Sequence, residues 1–107
     1  MSNILNSTLQ YNFDWNSQKE NLNIKKHGID FRKASNVFRD SNQLSIYDEE
    51  HSDYEDRWIT MGIDDGGVLR VVVHTFEQVD DFNCNIRIIS ARKATKQERI
   101  QYQNTIL

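Results

Sequence analysis

No proline occurs anywhere in the chain, and only four of its 107 residues are glycine. Without proline, low-complexity tracts or internal repeats, no segment reads as a linker, and the length is that of one domain. The few glycines form neither a phosphate-cradling loop nor a dinucleotide fingerprint, and no serine-nucleophile motif is present. Cys84 is the single cysteine, so no intramolecular disulfide can form and a reducing compartment suits the chain. No stretch approaches the ~20 apolar residues of a membrane span. The start, Met1 to Leu9, lacks the basic and apolar regions of a signal peptide. These absences lead to the expectation of a cytoplasmic protein with no membrane partner. His27, His51, His74 and Cys84 stand at no metal-ligand spacing, and the run around Asp48, Glu49, Glu50 and Asp53 does not match a calcium loop, so no metal and no cofactor is expected.

What is abundant is charge, unevenly placed. The net charge is -3, but between Asp40 and Asp81 twelve acids face only Arg57 and Arg70, while the rest of the chain holds eleven bases and four acids. If the basic ends pack together they make a positive face able to hold RNA, with the acidic middle turned elsewhere or holding a basic partner. The alternative is solvated charge that serves solubility. With 37% hydrophobic residues in so short a chain the core is small, and a bound partner would add stability by mass action.

Periodicity predicts an α+β domain over 11–107 preceded by a flexible leader over 1–10. Tyr11 to Trp15 alternates aromatic and polar residues as a short strand does. Asn16 or Ser17 can cap a helix that runs to His27 and stops at Gly28. Asp30 can cap a second, with Phe31, Ala34, Val37 and Phe38 on one face. Period two then predicts strands at 43–48, 57–63, 68–76 and 84–90, with a hairpin turn at Asp64-Asp65-Gly66-Gly67. The acidic run from Asp48 to Asp56 reads as a loop. Thr95-Lys96-Gln97-Glu98 is a capping box opening a last helix to about Asn104, with Ile100 and Tyr102 available for packing. The expected outline is N-terminal helices, a four-stranded and mostly antiparallel sheet, and a closing helix.

The residues most able to carry chemistry lie in the stretch Arg87-Ile88-Ile89-Ser90-Ala91-Arg92-Lys93-Ala94. Two arginines at the end of an apolar strand make a poor core and a good phosphate contact. Arg87, flanked by isoleucines, has to leave the sheet on one face and meet either a neighbouring acid or an anion. Arg92, just past the strand, is well placed for a ligand, with solvated surface as the alternative. Arg57 begins a strand beside Trp58. Arg70 and His74 share a strand face at period two, where an arginine can hold a phosphate and an imidazole can move a proton, unless the histidine is simply packed and the arginine cross-paired. Lys25, Lys26 and His27 suit a helix C-terminus by charge alone, although His27 at a chain reversal can also project towards a site. Glu98 has the capping role as its alternative, and Tyr102 either packs or stacks on a base.

Read in order, Phe13-Asp14-Trp15-Asn16, Lys19, Asn21, Lys26-His27-Gly28-Ile29, Phe31, Ala34, Phe38 and Asp40 make the first half of the chain resemble the BrnT family, toxins of bacterial toxin–antitoxin pairs. Arg57 with Gly62, then Arg87 to Ala94 with Glu98 and Tyr102, extend the resemblance over roughly residues 11 to 103. The resemblance implies a fold related to RelE-type ribonucleases and metal-independent RNA cleavage that arrests translation and growth. It also implies a BrnA-type ribbon-helix-helix antitoxin that neutralises the toxin and brings operator DNA to the complex. On this basis Arg57, Arg87, Arg92, His27 and Glu98 become catalytic candidates, and Lys26, Lys93, Arg99 and Tyr102 RNA-binding ones. His74 is added to the catalytic set from strand geometry alone. The acidic middle fits such a toxin awkwardly, which leaves three ways out: the acidic loop binds a basic antitoxin, the ribosome presents the RNA, or the chain is an inactive co-repressor module.

Overall fold

Local signals in the sequence start and stop the helices. The computed structural model describes residues 10–106, so the expected leader lies, apart from Gln10, outside the described residues. Gln10 itself opens strand β1 (Gln10–Trp15). The Asn16 side chain accepts a hydrogen bond from the Lys19 N–H at 3.0 Å and starts α1 (Ser17–His27). Gly28, at φ 71°, closes that helix in the left-handed region that a residue with a Cβ resists. Asp30 caps α2 (Phe31–Ser35) through the Lys33 N–H at 2.7 Å. The chain tightens into a 3-10 turn at Asn36–Arg39, which lets the adjacent Val37 and Phe38 both enter the core behind Phe31 and Ala34.

The strands are β2 (Leu44–Tyr47), β3 (Arg57–Ile63), β4 (Leu69–Thr75), β5 (Glu77–Gln78) and β6 (Asn83–Lys93), followed by α3 (Lys96–Ile106). The sheet is six-stranded and mixed, in the order β1-β6-β4-β3-β2 with β5 beside β6, and this corrects the expected four-stranded sheet. Two strands account for the difference. β1 joins β6 in parallel, Phe13 opposite Ile86 and Trp15 opposite Ile88, and β5 continues the β4 side of β6. The β1 and β6 partners lie about seventy residues apart in the chain, beyond any local pattern, whereas β5, only two residues long, is too short for period two to reveal.

Two apolar layers sandwich the sheet. On the α1/α2 face, Phe31, Val37, Val72, Ile86 and Ile88 form the larger core, with Phe13 and Trp15 packed against it. On the α3 face a smaller core gathers Met61, Leu69, Val71, Ala94 and Tyr102. Ile100, expected to pack, is instead 44% exposed. Asn23 is the buried polar staple between layers: its amide nitrogen donates to the carbonyls of Ile29 at 3.1 Å and Ala91 at 2.9 Å, while its oxygen accepts the Ala91 N–H at 3.1 Å. Those groups on β6 lie beyond the end of β1, where strand pairing has run out, so the helix side chain completes what the ladder cannot.

A single irregularity in β6 decides which way its arginines point. Val73 pairs with Ser90 but His74 pairs with Ile88, so Ile89 is an extra residue, a β-bulge. Arg87 and Arg92 are five positions apart and in a regular strand would face opposite sides. The bulge cancels the mismatch. Arg92 sits opposite Val71 and Arg87 falls beside Thr75, and Val71 and Thr75 share the α3 face of β4.

An arginine face and an acidic loop

Arg57 pairs directly with Thr75 across β3 and β4, so Arg57, Arg87 and Arg92 all present to the α3 face. The separation between the Arg87 and Arg92 levels is four residues of β4, about 13 Å. Between them lie Val73, Ser90 and Ile59, half-buried at most and not covered as the α3 end is. Arg87 is further fixed by its backbone N–H, which donates to Thr75 Oγ1 at 3.2 Å.

Each of the three arginines already holds a carboxylate. Arg92 grips Glu98 with both terminal nitrogens, at 2.7 and 2.9 Å. Glu98 is also the capping residue expected: it accepts the Thr95 N–H at 2.8 Å and its own N–H reaches Thr95 Oγ1 at 3.2 Å. Arg92, helped by those bonds against some desolvation, holds the Glu98 carboxyl down to about 2. A folded value below the unfolded one adds stability that is complete above the ordinary carboxylate range and disappears as pH falls from about 4.5 towards 2. Because Arg92 is 40% exposed the contribution is discounted to about 1–2 kcal/mol. Wild type is therefore expected to exceed Glu98→Gln in urea-melt stability at pH 7 by about that much, with the gap closing near pH 2.

Glu55 bridges the other two arginines. It forms a close ion pair with Arg87 and stands 3.5 Å from Arg57, and the Arg87 hydrogen bond holds its carboxyl below the usual carboxylate range. The Nε–H of Arg57 is buried with no partner, a donor left over at the site. The acidic segment thus does not turn away from the basic residues: the loop from Asp48 to Asp56 folds onto them. It is tied shut by the Asp48 N–H donating to the Arg57 carbonyl at 2.8 Å, by Ser52 Oγ, and by Tyr47 Oη donating to Asp56 at 2.8 Å.

The remaining candidates lie elsewhere. His74 pairs with Trp58 and Ile88 on the α1/α2 face, across the sheet from the arginines. It is 3% exposed, lies edge-on to Phe38, and uses both ring nitrogens. The Thr75 carbonyl can only accept, so Nδ1 donates to it at 2.9 Å and Nε2 accepts from Thr60 at 2.6 Å. Burial pushes its pKa down. The packed alternative describes it better than proton transfer on the arginine face. Arg70, on the same side of β4, is cross-paired with Asp64 at 3.0 Å. Lys26 and His27 are exposed at the end of α1, Lys93 at the end of β6, and Arg99 on α3. Tyr102, a candidate for stacking on a base, is instead 3% exposed in the α3 core and donates to Asp40, with burial and that carboxylate pushing its phenol up to about 12. Glu55 escaped sequence reasoning because its partner Arg87 lies thirty-two residues further on.

A family model described as the ribonuclease toxin BrnT of type II toxin–antitoxin systems matches residues 15–98, from the β1 aromatic through the capping glutamate that holds Arg92. The chain belongs to the BrnT toxin family. Among solved structures, the 1.1 Å crystal structure of the Brucella abortus ribonuclease toxin BrnT is 22% identical, over 81% of this chain and 100% of that one, with a TM-score of 0.56. At that identity the likeness speaks for a shared fold. No curated protein sequence matches the chain significantly. In BrnT-family terms the matched segment contains all three arginines of the shared face together with Glu55 and Glu98. No described helix is long and apolar enough to cross a membrane.

Proposed function

We propose that this BrnT-family chain is a metal-independent endoribonuclease of RelE-like descent, acting in the cytoplasm as one domain over 11–107. Arg87 and Arg57 hold the scissile phosphate and Arg92 a phosphate further along the strand. The observation that carries this reading is the alignment of the three guanidinium groups on one sheet face by the bulge at Ile89. Attack of a ribose 2′-hydroxyl on the adjacent phosphorus piles charge on the non-bridging oxygens, and fixed guanidinium donors stabilise that charge without reorganising. Arg99 adds a basic group on α3, Lys93 stands at the end of β6 on the Arg70 side of the sheet, and Lys26 lies with His27 at the exposed end of α1.

The proposed partner is a BrnA-type ribbon-helix-helix antitoxin, which carries the operator-binding half and leaves DNA reading out of this chain. Either free RNA or RNA held on the ribosome is the substrate. A second reading, an inactive co-repressor module, draws on the ion pairs that already occupy each arginine. Expression in bacteria separates the two. Growth arrest with fragmented RNA, relieved by co-expression of a neighbouring ribbon-helix-helix protein, supports the enzyme. Folded protein that binds such a neighbour yet leaves growth and RNA intact supports the module.

A further inference from the structure

Glu55 is one wall of a cleft of about 230 Å³ formed by Glu50, His51, Asp53, Tyr54, Glu55 and Arg57. The cleft opens beside the Arg57 and Arg87 guanidinium groups that Glu55 bridges. His51 stands in the same loop and is accessible, its side chain 63% exposed. Its Nδ1 lies 3.0 and 3.2 Å from the two oxygens of Asp48, so the carboxylate takes the Nδ1 hydrogen and leaves Nε2 as the nitrogen free to exchange a proton. Asp48 is itself held at the base of the loop by its backbone bond to Arg57.

We propose that Glu55 and His51 are the proton-transferring pair of the arginine face, Glu55 as base and His51 as acid, with Asp48 positioning the imidazole. The inference rests on the ribonuclease reading given above and supplies the proton carriers that His27 and His74 do not bring to this face. The step balances. Glu55 takes the proton of the 2′-hydroxyl as the O2′–P bond forms, the P–O5′ bond breaks, and protonated His51 gives its Nε2 proton to the departing O5′. The products are a 2′,3′-cyclic phosphate and a 5′-hydroxyl, with Glu55 protonated and His51 neutral until exchange with water resets them. Arg87 and Arg57 keep Glu55 ionised before RNA arrives, which is the form a base needs. When phosphate oxygens draw those guanidinium groups away, the carboxylate is left beside the sugar with its basicity restored.

The test is cleavage by the purified full chain of a mixed-sequence RNA, free and on ribosomes, measured from pH 4 to 9 for wild type, Glu55→Gln, His51→Gln, Asp48→Asn and Arg87→Ala. Binding of the same RNA carrying 2′-O-methyl riboses serves as the folding and affinity control. A bell-shaped wild-type profile is expected. His51→Gln loses the alkaline limb, Glu55→Gln loses the acid limb, and each falls roughly 10²–10⁴-fold in rate with binding retained. Asp48→Asn loses less and displaces the alkaline limb. Wild type active and Arg87→Ala inactive, with Glu55→Gln and His51→Gln both at full rate, overturns the pair and leaves the ribonuclease reading standing. A Glu55→Gln variant that cleaves faster than wild type also overturns it, making Glu55 a plug on the arginines. Wild type inert on both substrates defeats the ribonuclease reading and this inference with it.

Discussion

Arg87→Ala is expected to lower the rate of RNA cleavage by roughly 10²–10³-fold, the usual loss when one preorganised donor to a developing oxyanion is removed. Stability is expected to change by no more than about 1 kcal/mol, because the ion pair being removed is exposed and screened, with 45% of the Arg87 side chain open to solvent. Arg87→Lys should recover only part of the rate: the ammonium keeps the charge and loses the planar fork that grips two phosphate oxygens. Arg92→Ala provides the contrast. It releases Glu98 from its bidentate pair, so it should reduce both activity and stability, the latter by unsettling the start of α3. Thermal melts run beside cleavage assays separate these outcomes, and an Arg87→Ala protein that cleaves within threefold of wild type would remove Arg87 from the site.

The largest stability loss is expected at a residue with no charge. Asn23→Leu is similar in size but deletes three buried hydrogen bonds at once, stranding the carbonyls of Ile29 and Ala91 and the Ala91 N–H. Each stranded group costs about 1–3 kcal/mol, so a total of roughly 3–9 kcal/mol is expected, against a whole-domain stability of about 5–15. Urea unfolding measures it directly. The effect should reach function as well, because Ala91 precedes Arg92 and its anchoring fixes the upper end of the arginine row. A cost under 1 kcal/mol would mean that water reaches those groups and that Asn23 is not the staple described.

Features set by neighbouring residues were legible in the sequence. Asn16, Asp30 and Gly28 bound the helices as their chemistry demands, the Asp64 to Gly67 turn joins β3 to β4, and Thr95 and Glu98 close the capping box. Period two also placed Arg70 and His74 on one face of β4. It failed where geometry is set at a distance. A strict alternation puts Arg87 and Arg92 on opposite faces, and only the extra residue at Ile89, visible once β6 is paired with β4, brings them together. The parallel pairing of β1 with β6 and the Glu55 bridge to Arg87 depend likewise on contacts between distant segments. The uneven charge distribution is plain in the sequence, yet its arrangement differs from the simplest expectation: Glu55, an acid from the middle of the chain, sits on the bases rather than opposite them.

Cleavage of RNA by the side chains of the face that the Ile89 bulge organises is tested most directly by incubating the purified chain with defined free RNA in excess EDTA, beside ribosome-bound RNA kept in the magnesium that ribosomes require. The account predicts cleavage that persists in the chelator, leaves 2′,3′-cyclic phosphate and 5′-hydroxyl ends, and is lost in Arg87→Ala. Cleavage of free RNA abolished by EDTA and restored by a divalent cation, or ends on either substrate bearing a 3′-hydroxyl and a 5′-phosphate, would contradict it.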